Sequence, residues 1–279
     1  MATAQPIKWH GGKRYLAKWI LEHFPSRSSY THYLEPFAGG LSVLFAHDPD
    51  GISESANDLN GQLSNFWQVL RDENLFSKFE REIQATEFSD QRFLASRNKC
   101  IDENSISNLS VVEQACAFFI RYRMSRQGLG RDFATPTRRT RRGMNENVSA
   151  WLSAVDSLPE AHSRLRRVEI RNMNALAFIQ KYDHPRAIFY LDPPYLHETR
   201  VTTKDYDFEM GVKDHTDLLS CLSDLKGKFI ISGYPSDLYD GHARRLGWRK
   251  VERQIDNKAS GKKTKDKKTE CLWMNYGKA

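Results

Sequence analysis

Asp192-Pro193-Pro194-Tyr195 stands directly after the apolar run Ala187-Ile188-Phe189-Tyr190-Leu191. Such a run reads as a buried strand, and open α/β sheets place their ligand sites at the C-terminal ends of strands. The two prolines fix φ and carry no backbone N–H, so carbonyls are left to accept hydrogen bonds. One carboxylate and one proline carbonyl can hold both hydrogens of an exocyclic amino group, while Tyr195 covers a planar ring. The tetrapeptide therefore reads as a pocket for an aminated base. A rigid turn with a buried tyrosine would carry the same four residues.

Two further segments hold groups that could do chemistry. Glu35-Pro36-Phe37-Ala38-Gly39-Gly40 joins a short strand to a helix, where glycines permit a sharp turn and close approach of a ligand to the backbone. Its spacing is not GxGxxG, so a dinucleotide pyrophosphate is not the natural guest. Asp58 follows at the end of the next strand, at about the 20-residue spacing that sets a carboxylate against ribose hydroxyls in nucleoside-binding sheets. Each feature alone is also an ordinary turn; together they favour a nucleoside site. Lys8-Trp9-His10-Gly11-Gly12-Lys13 precedes the first helix and places Lys13 where an ammonium could meet a carboxylate or phosphate. Considered alone, that segment reads as a helix N-terminal turn with one solvated lysine.

The elements that must position these groups alternate along the chain. Tyr15, Leu16, Trp19, Ile20 and Phe24 predict an amphipathic helix over 12–24. Strands are expected at 31–34, 52–56, 168–170, 187–191 and 228–232, and helices from about 41, at 175–181 and at 214–225. Two strand candidates, 248–255 and 270–276, close the chain. The pattern predicts an α/β fold whose mostly parallel sheet is covered on both faces and ends in an antiparallel hairpin. Between about 65 and 165 the apolar positions are helical, notably Val111, Val112, Ala115, Phe118, Phe119 and Tyr122. A second, mainly helical domain is thus expected at 65–165, inserted in a sheet domain made of 1–64 and 166–279.

At 279 residues the chain can bury one large core or two modest ones. No apolar stretch approaches the roughly 20 residues of a membrane span. Met1-Ala2-Thr3-Ala4-Gln5 lacks the charged-then-apolar pattern of a signal peptide, so a cytoplasmic protein with no membrane partner is expected. Cys100, Cys116, Cys221 and Cys271 are scattered without CxxC spacing, which indicates neither a disulfide framework nor a zinc site; no metal is expected. The net charge of +7 suggests an acidic partner, nucleic acid above all. Arg138-Arg139-Thr140-Arg141-Arg142 is one dense basic cluster and Lys258 to Lys268 another. A charge run is as a rule a solvated face, and the arginine cluster inside the helical insert is the better candidate for binding.

Taken in order, the Lys8–Lys13, Glu35–Gly40 and Asp192–Tyr195 segments resemble the motifs of Dam-like, alpha-arranged DNA adenine-N6 methyltransferases. In that family the cofactor motif comes first, then target recognition, then the catalytic motif. The resemblance covers roughly 1–60 and 165–279 and is loose between them. It implies a Rossmann-like, S-adenosylmethionine-dependent methyltransferase sheet of seven strands with an inserted, mainly helical target-recognition domain. It implies cofactor contacts from Trp9, Lys13, Asp58 and Asp192, with Phe37 and Gly39 lining the same pocket and Asn174 facing the cofactor's adenine. An Asn at that place is equally an ordinary helix cap. Gln127-Gly128-Leu129-Gly130-Arg131 resembles the loop that the family uses against DNA, which makes Leu129 and Arg131 candidate base contacts. Arg138, Arg139, Arg141 and Arg142 would then grip phosphates. Members that read GATC carry Asn where this chain has Gln127, so the resemblance does not extend to that target.

The implied reaction moves a methyl group from S-adenosylmethionine to N6 of an adenine flipped out of double-stranded DNA, with Asp192, Pro193, Pro194 and Tyr195 as the catalytic residues. Methylation of cytosine N4 or of an RNA base, and a catalytically inactive DNA-binding decoy, are the alternatives. Asp at the first catalytic position leans toward adenine, since cytosine-N4 enzymes more often carry Ser there. A monomer is expected, and a cognate restriction endonuclease is a partner that such an enzyme admits.

Overall fold

Nine strands occur among the described residues: β1 (His32–Glu35), β2 (Ser53–Asn57), β3 (Thr140–Arg141), β4 (Met144–Asn145), β5 (Val168–Arg171), β6 (Ala187–Leu191), β7 (Lys228–Gly233), β8 (Arg249–Asp256) and β9 (Lys267–Met274). This computed structural model describes residues 5–135, 137–196, 209–256 and 267–277. Met1 to Ala4 and four lysines of the second basic run (Lys258, Lys262, Lys263 and Lys265) lie outside them. Seven strands make one sheet in the order β5-β2-β1-β6-β7-β9-β8. β1 is parallel to β2 and β6, and β6 is parallel to β7. β9 runs antiparallel to both β7 and β8. The α/β class, the mostly parallel sheet and the antiparallel closing hairpin are as the alternation of elements predicts, and the seven strands of a Rossmann-like sheet are as the resemblance implies.

Every residue of β6 is buried, which is how an unbroken apolar run behaves in a parallel strand covered on both faces. Among the described residues no helix is long and apolar enough to cross a membrane. By contact the chain divides into two compact units, interleaved in sequence. One comprises Met1–Trp19, Gly39–Asp48 and Asn60–Asn172; the other comprises Ile20–Ala38, Pro49–Leu59 and Met173–Ala279.

The second unit holds the central strands. Its core joins Leu34, Phe189, Leu191, Phe229, Ile231 and Trp273 from the strands to Phe178, Leu218, Leu219 and Leu222 from the helices Ala175–Tyr182 and Val212–Ser223. Leu218, Leu219 and Leu222 form the inward stripe that their spacing predicts. The helix Asp237–Leu246 has no counterpart in the apolar pattern of the sequence, because only Tyr239 and Ala243 on it are buried. Its signals are polar instead: Ser236 caps its N-terminus, Asp237 and Asp240 lie in its first turn, and Arg244 and Arg245 in its last.

The first unit is built on helices, principally Gly61–Arg71, Glu73–Gln84, Asp90–Ile101, Val111–Arg123 and Glu146–Asp156. Asn60, Asp72 and Ser89 cap three of these, and Ser110 with Glu113 forms a capping box on a fourth. Their inner faces meet in an aromatic cluster in which Phe66 lies 4.7 Å from Trp67 and 5.9 Å from Phe119, and Phe119 lies 5.5 Å from Trp151. Two expectations change at the edges. The first helix is shorter, Ala17–Glu22, and Tyr15, half exposed, is not on a buried face. The basic segment after Arg123 contains the short antiparallel hairpin β3–β4, turning through Arg142 and Gly143 at φ of +55° and +72°. Two successive positive φ angles mark the type I′ geometry that suits hairpin twist.

Candidate active site

Because β6 is a central parallel strand, its C-terminal end delivers Asp192, Pro193, Pro194 and Tyr195 to the sheet edge where α/β folds keep their sites. Asp192 and Tyr195 are half-buried and Pro193 is buried. Two residues before Asp192, the buried Tyr190 hydroxyl shares a 2.7 Å hydrogen bond with Ser232 of β7. The Tyr195 hydroxyl donates to the Glu270 carboxylate on β9, and its ring meets Tyr234 edge to face at 4.7 Å. Burial first, then the charges of Glu270 and Asp192, push the Tyr195 hydroxyl well above the usual tyrosine range. Burial and Asp192 do the same to Tyr190. Both phenols therefore stay protonated around neutral pH, and that of Tyr195 serves as a donor rather than a base. A cleft lined by Tyr195, Leu196, His215, Gly233, Tyr234 and Tyr239 opens beside the tetrapeptide.

The ends of β1 and β2 are tied together by one buried side chain. The Asn57 amide donates to the carbonyls of Pro36 (3.1 Å) and Met173 (3.0 Å), and its oxygen accepts from the Met173 N–H at 3.0 Å. The Asn57 backbone carbonyl accepts from the Ala38 N–H at 2.8 Å. Asn57 thus holds in register the segments that carry Phe37, Asp58 and Asn174. An Asn closing a strand reads by default as a turn former, so nothing local marks this role. Phe37 packs against the core of its unit, and Asp58 is half-buried at the end of β2. The Asn174 side-chain oxygen caps the helix Ala175–Tyr182, accepting from the N–H groups of Leu176 (2.9 Å) and Ala177 (3.2 Å).

Trp9, Lys13 and Gly39 belong to the helical unit. The Trp9 ring lies 5.0 Å from Tyr122 and 6.1 Å from Phe118. Gly39 has φ of +45°, its carbonyl accepts from Trp67 Nε1 at 3.1 Å, and a Cβ there would come within 3.0 Å of Trp9 Nε1. Any side chain at that position would meet both strain and a clash. Lys13 corrects the reading of a solvated lysine: it is 7% exposed and donates to the Gly11 carbonyl at 3.1 Å.

The loop carrying Leu129 and Arg131 is fixed from behind. Ser125 Oγ donates to the Tyr122 carbonyl and accepts from the Gly130 N–H, each at 2.9 Å. Arg121 donates to the Gly130 carbonyl at 3.1 Å and Arg97 to the Arg131 carbonyl at 3.0 Å. Gly128 has φ of +73°, and a Cβ on it would approach the Lys8 carbonyl to 2.8 Å. Leu129 is half-buried and Arg131 exposed. Arg138, Arg139, Arg141 and Arg142 are exposed on and just before the β3–β4 hairpin, where Arg142 donates to Ser153 Oγ at 2.9 Å. Burial, then the nearby Arg123 charge, lowers the Lys8 ammonium to about 8.

The family model of D12 class N6 adenine-specific DNA methyltransferases matches residues 9–255 of the chain. No curated protein matches it.

Asn57→Ala strands buried polar groups on two segments and is expected to cost about 1–3 kcal/mol in denaturant unfolding. A loss indistinguishable from zero would show that the tie is dispensable. Lys8 supplies a pH test. Its folded-state value lies below that of an unfolded lysine, so the unfolded chain binds the proton more tightly and the Lys8 contribution to stability rises with pH between about 8 and the unfolded value. Lys8→Met should therefore be more stable than the parent at pH near 7.5, with the gap closing toward pH 10 in paired urea titrations. A gap that widens with pH would contradict the assignment.

Proposed function

The chain belongs to the D12 class N6 adenine-specific DNA methyltransferase family, and on that premise we propose that its methyl donor is S-adenosylmethionine and its substrate an adenine flipped out of double-stranded DNA. It is an adenine-specific DNA methyltransferase, which removes the cytosine-N4 and RNA-base alternatives. The observation that carries the finer reading is the position of Asp192-Pro193-Pro194-Tyr195 at the end of a fully buried central strand, inside the residues that the family model matches.

The donor set suits the cofactor's chemistry. Lys13 is a buried ammonium fit for a carboxylate, Asp58 a half-buried carboxylate fit for ribose hydroxyls, and Trp9 offers an aromatic surface beside Gly39. With Phe37, Asn174 and Asp192 these are the residues proposed to hold it. The Asn174 oxygen is committed to a helix cap, so its amide nitrogen is the atom that would reach the cofactor. When bound, S-adenosylmethionine supplies an electrophilic methyl group on a sulfonium.

Adenine N6 is a poor nucleophile because its lone pair is delocalised into the ring. Asp192 and the Pro193 carbonyl each accept one N6 hydrogen, which biases the nitrogen toward a pyramidal geometry with a localised lone pair. The rigid prolines hold both acceptors in place, and positioning and electrostatics provide most of the rate. Tyr195 stacks on the flipped base. Residues 65–165 act as the target-recognition domain, with Leu129 and Arg131 at base edges and Arg138, Arg139, Arg141 and Arg142 at phosphates. The protein acts in the cytoplasm as a monomer, alongside a cognate restriction endonuclease where one exists.

The test is expression in a methylation-deficient host, with modified bases mapped by long-read sequencing. N6-methyladenine at a defined motif is expected; soluble protein that binds S-adenosylmethionine and leaves adenine unmodified would overturn the reading. Asp192→Ala should lower transfer by about 10²–10³-fold or more with the fold intact. Near-parental activity in that variant would remove the amine-polarising role. Arg131→Ala should narrow discrimination between the mapped motif and its single-base variants by about 1–3 kcal/mol. A uniform loss on all sequences would mark Arg131 as a phosphate contact instead.

A further inference from the structure

We infer that Glu270 on β9 is a positioning residue for methyl transfer, fixing the Tyr195 ring through its hydroxyl and so setting the surface on which the target base stacks. The inference rests on the proposed stacking role of Tyr195. Stacking needs only the aromatic ring, and phenylalanine would supply it. The hydroxyl is therefore available for another task, and its acceptor is the Glu270 carboxylate.

Glu270 is well placed to be rigid. It is 1% exposed, and β9 is held on both sides, with Cys271 opposite Gly233 of β7 and Glu270 opposite Arg253 of β8. A buried carboxylate is costly unless hydrogen-bonded, so its presence in a core strand calls for donors such as the Tyr195 hydroxyl. Burial and two nearby carboxylates keep that hydroxyl protonated, so the donor persists around neutral pH. The ring has a second brace. Tyr234, just past β7, meets Tyr195 at 4.7 Å, and the Lys268 ammonium of β9 lies 4.7 Å from the Tyr234 ring centre. Asp192 and Tyr195 share a strand end, but the tyrosine is oriented by β7 and β9. Glu270 also lies beyond residues 9–255, outside the stretch that the family model matches.

The experiment uses the full chain on its mapped site and compares Glu270→Gln, Glu270→Asp, Tyr195→Phe and the Tyr195→Phe/Glu270→Asp double variant. Gln keeps the reach and the acceptor; Asp keeps the charge but falls one methylene short. Single-turnover transfer at saturating DNA and cofactor, KM for S-adenosylmethionine, and melting temperature are read for each. Glu270→Gln should stay within about threefold of the parent, while Glu270→Asp and Tyr195→Phe each lose about tenfold or more with KM for the cofactor little changed. The double variant should be no slower than Tyr195→Phe, because both changes break one contact. Parental rates in Tyr195→Phe, or a Glu270→Asp loss that adds in full to that of Tyr195→Phe, overturn the inference. Should Glu270→Asp fail to fold, Tyr195→Phe decides alone. If the parent itself leaves adenine unmodified, the proposed function falls and the inference with it; if only the variants behave like the parent, the function stands and the inference does not.

Discussion

β6 is hydrogen-bonded on one edge to β1 and on the other to β7, and all five of its residues are buried. A strand enclosed on every side can present polar groups only where it ends. The chain spends that one opening on Asp192-Pro193-Pro194-Tyr195, whose prolines cannot continue the ladder and whose carbonyls remain as acceptors. Methyl transfer to an exocyclic amine is limited by geometry more than by reactive side chains, so a rigid exit is the principal requirement.

Around that exit, polar side chains are held by specific hydrogen bonds. Asn57 links the ends of β1 and β2 to Met173, Tyr190 bonds to Ser232, and Tyr195 bonds to Glu270. Low local dielectric makes each tie stronger and each vacancy costlier than in water, which is why such networks specify one geometry. The same desolvation sets protonation. The Tyr190 and Tyr195 phenols are pushed up and stay protonated around neutral pH.

The helical unit follows a different economy. Its core is aromatic, and the helix Val111–Arg123 packs Phe118 and Phe119 inward before leading into the loop of Leu129 and Arg131. Gln127, Gly128 and Gly130 all adopt positive φ, so the loop is a constrained shape, and two arginines hold its carbonyls from within the unit. The hairpin arginines, by contrast, stand exposed.

Much of this was legible in the chain. The central strands, the helices that cover them and the closing hairpin follow from local apolar period, which a strand or helix must show to bury one face. The order of three short motifs and the residues 9–255 of the family match agree on adenine. Local pattern was silent on the helix Asp237–Leu246, whose buried face is only two residues wide, and wrong on Tyr15 and on the burial of Lys13. It could not assign Asn57, whose partner Met173 is 116 residues away, nor Glu270, which lies 75 residues from Tyr195. The sequence by itself determined which elements form and which groups stand at their ends, because those depend on neighbours along the chain. Only the tertiary structure decided which buried polar atom each group would face, because hydrogen-bond partners are chosen by strand order and register, and these bring together residues that share no local pattern.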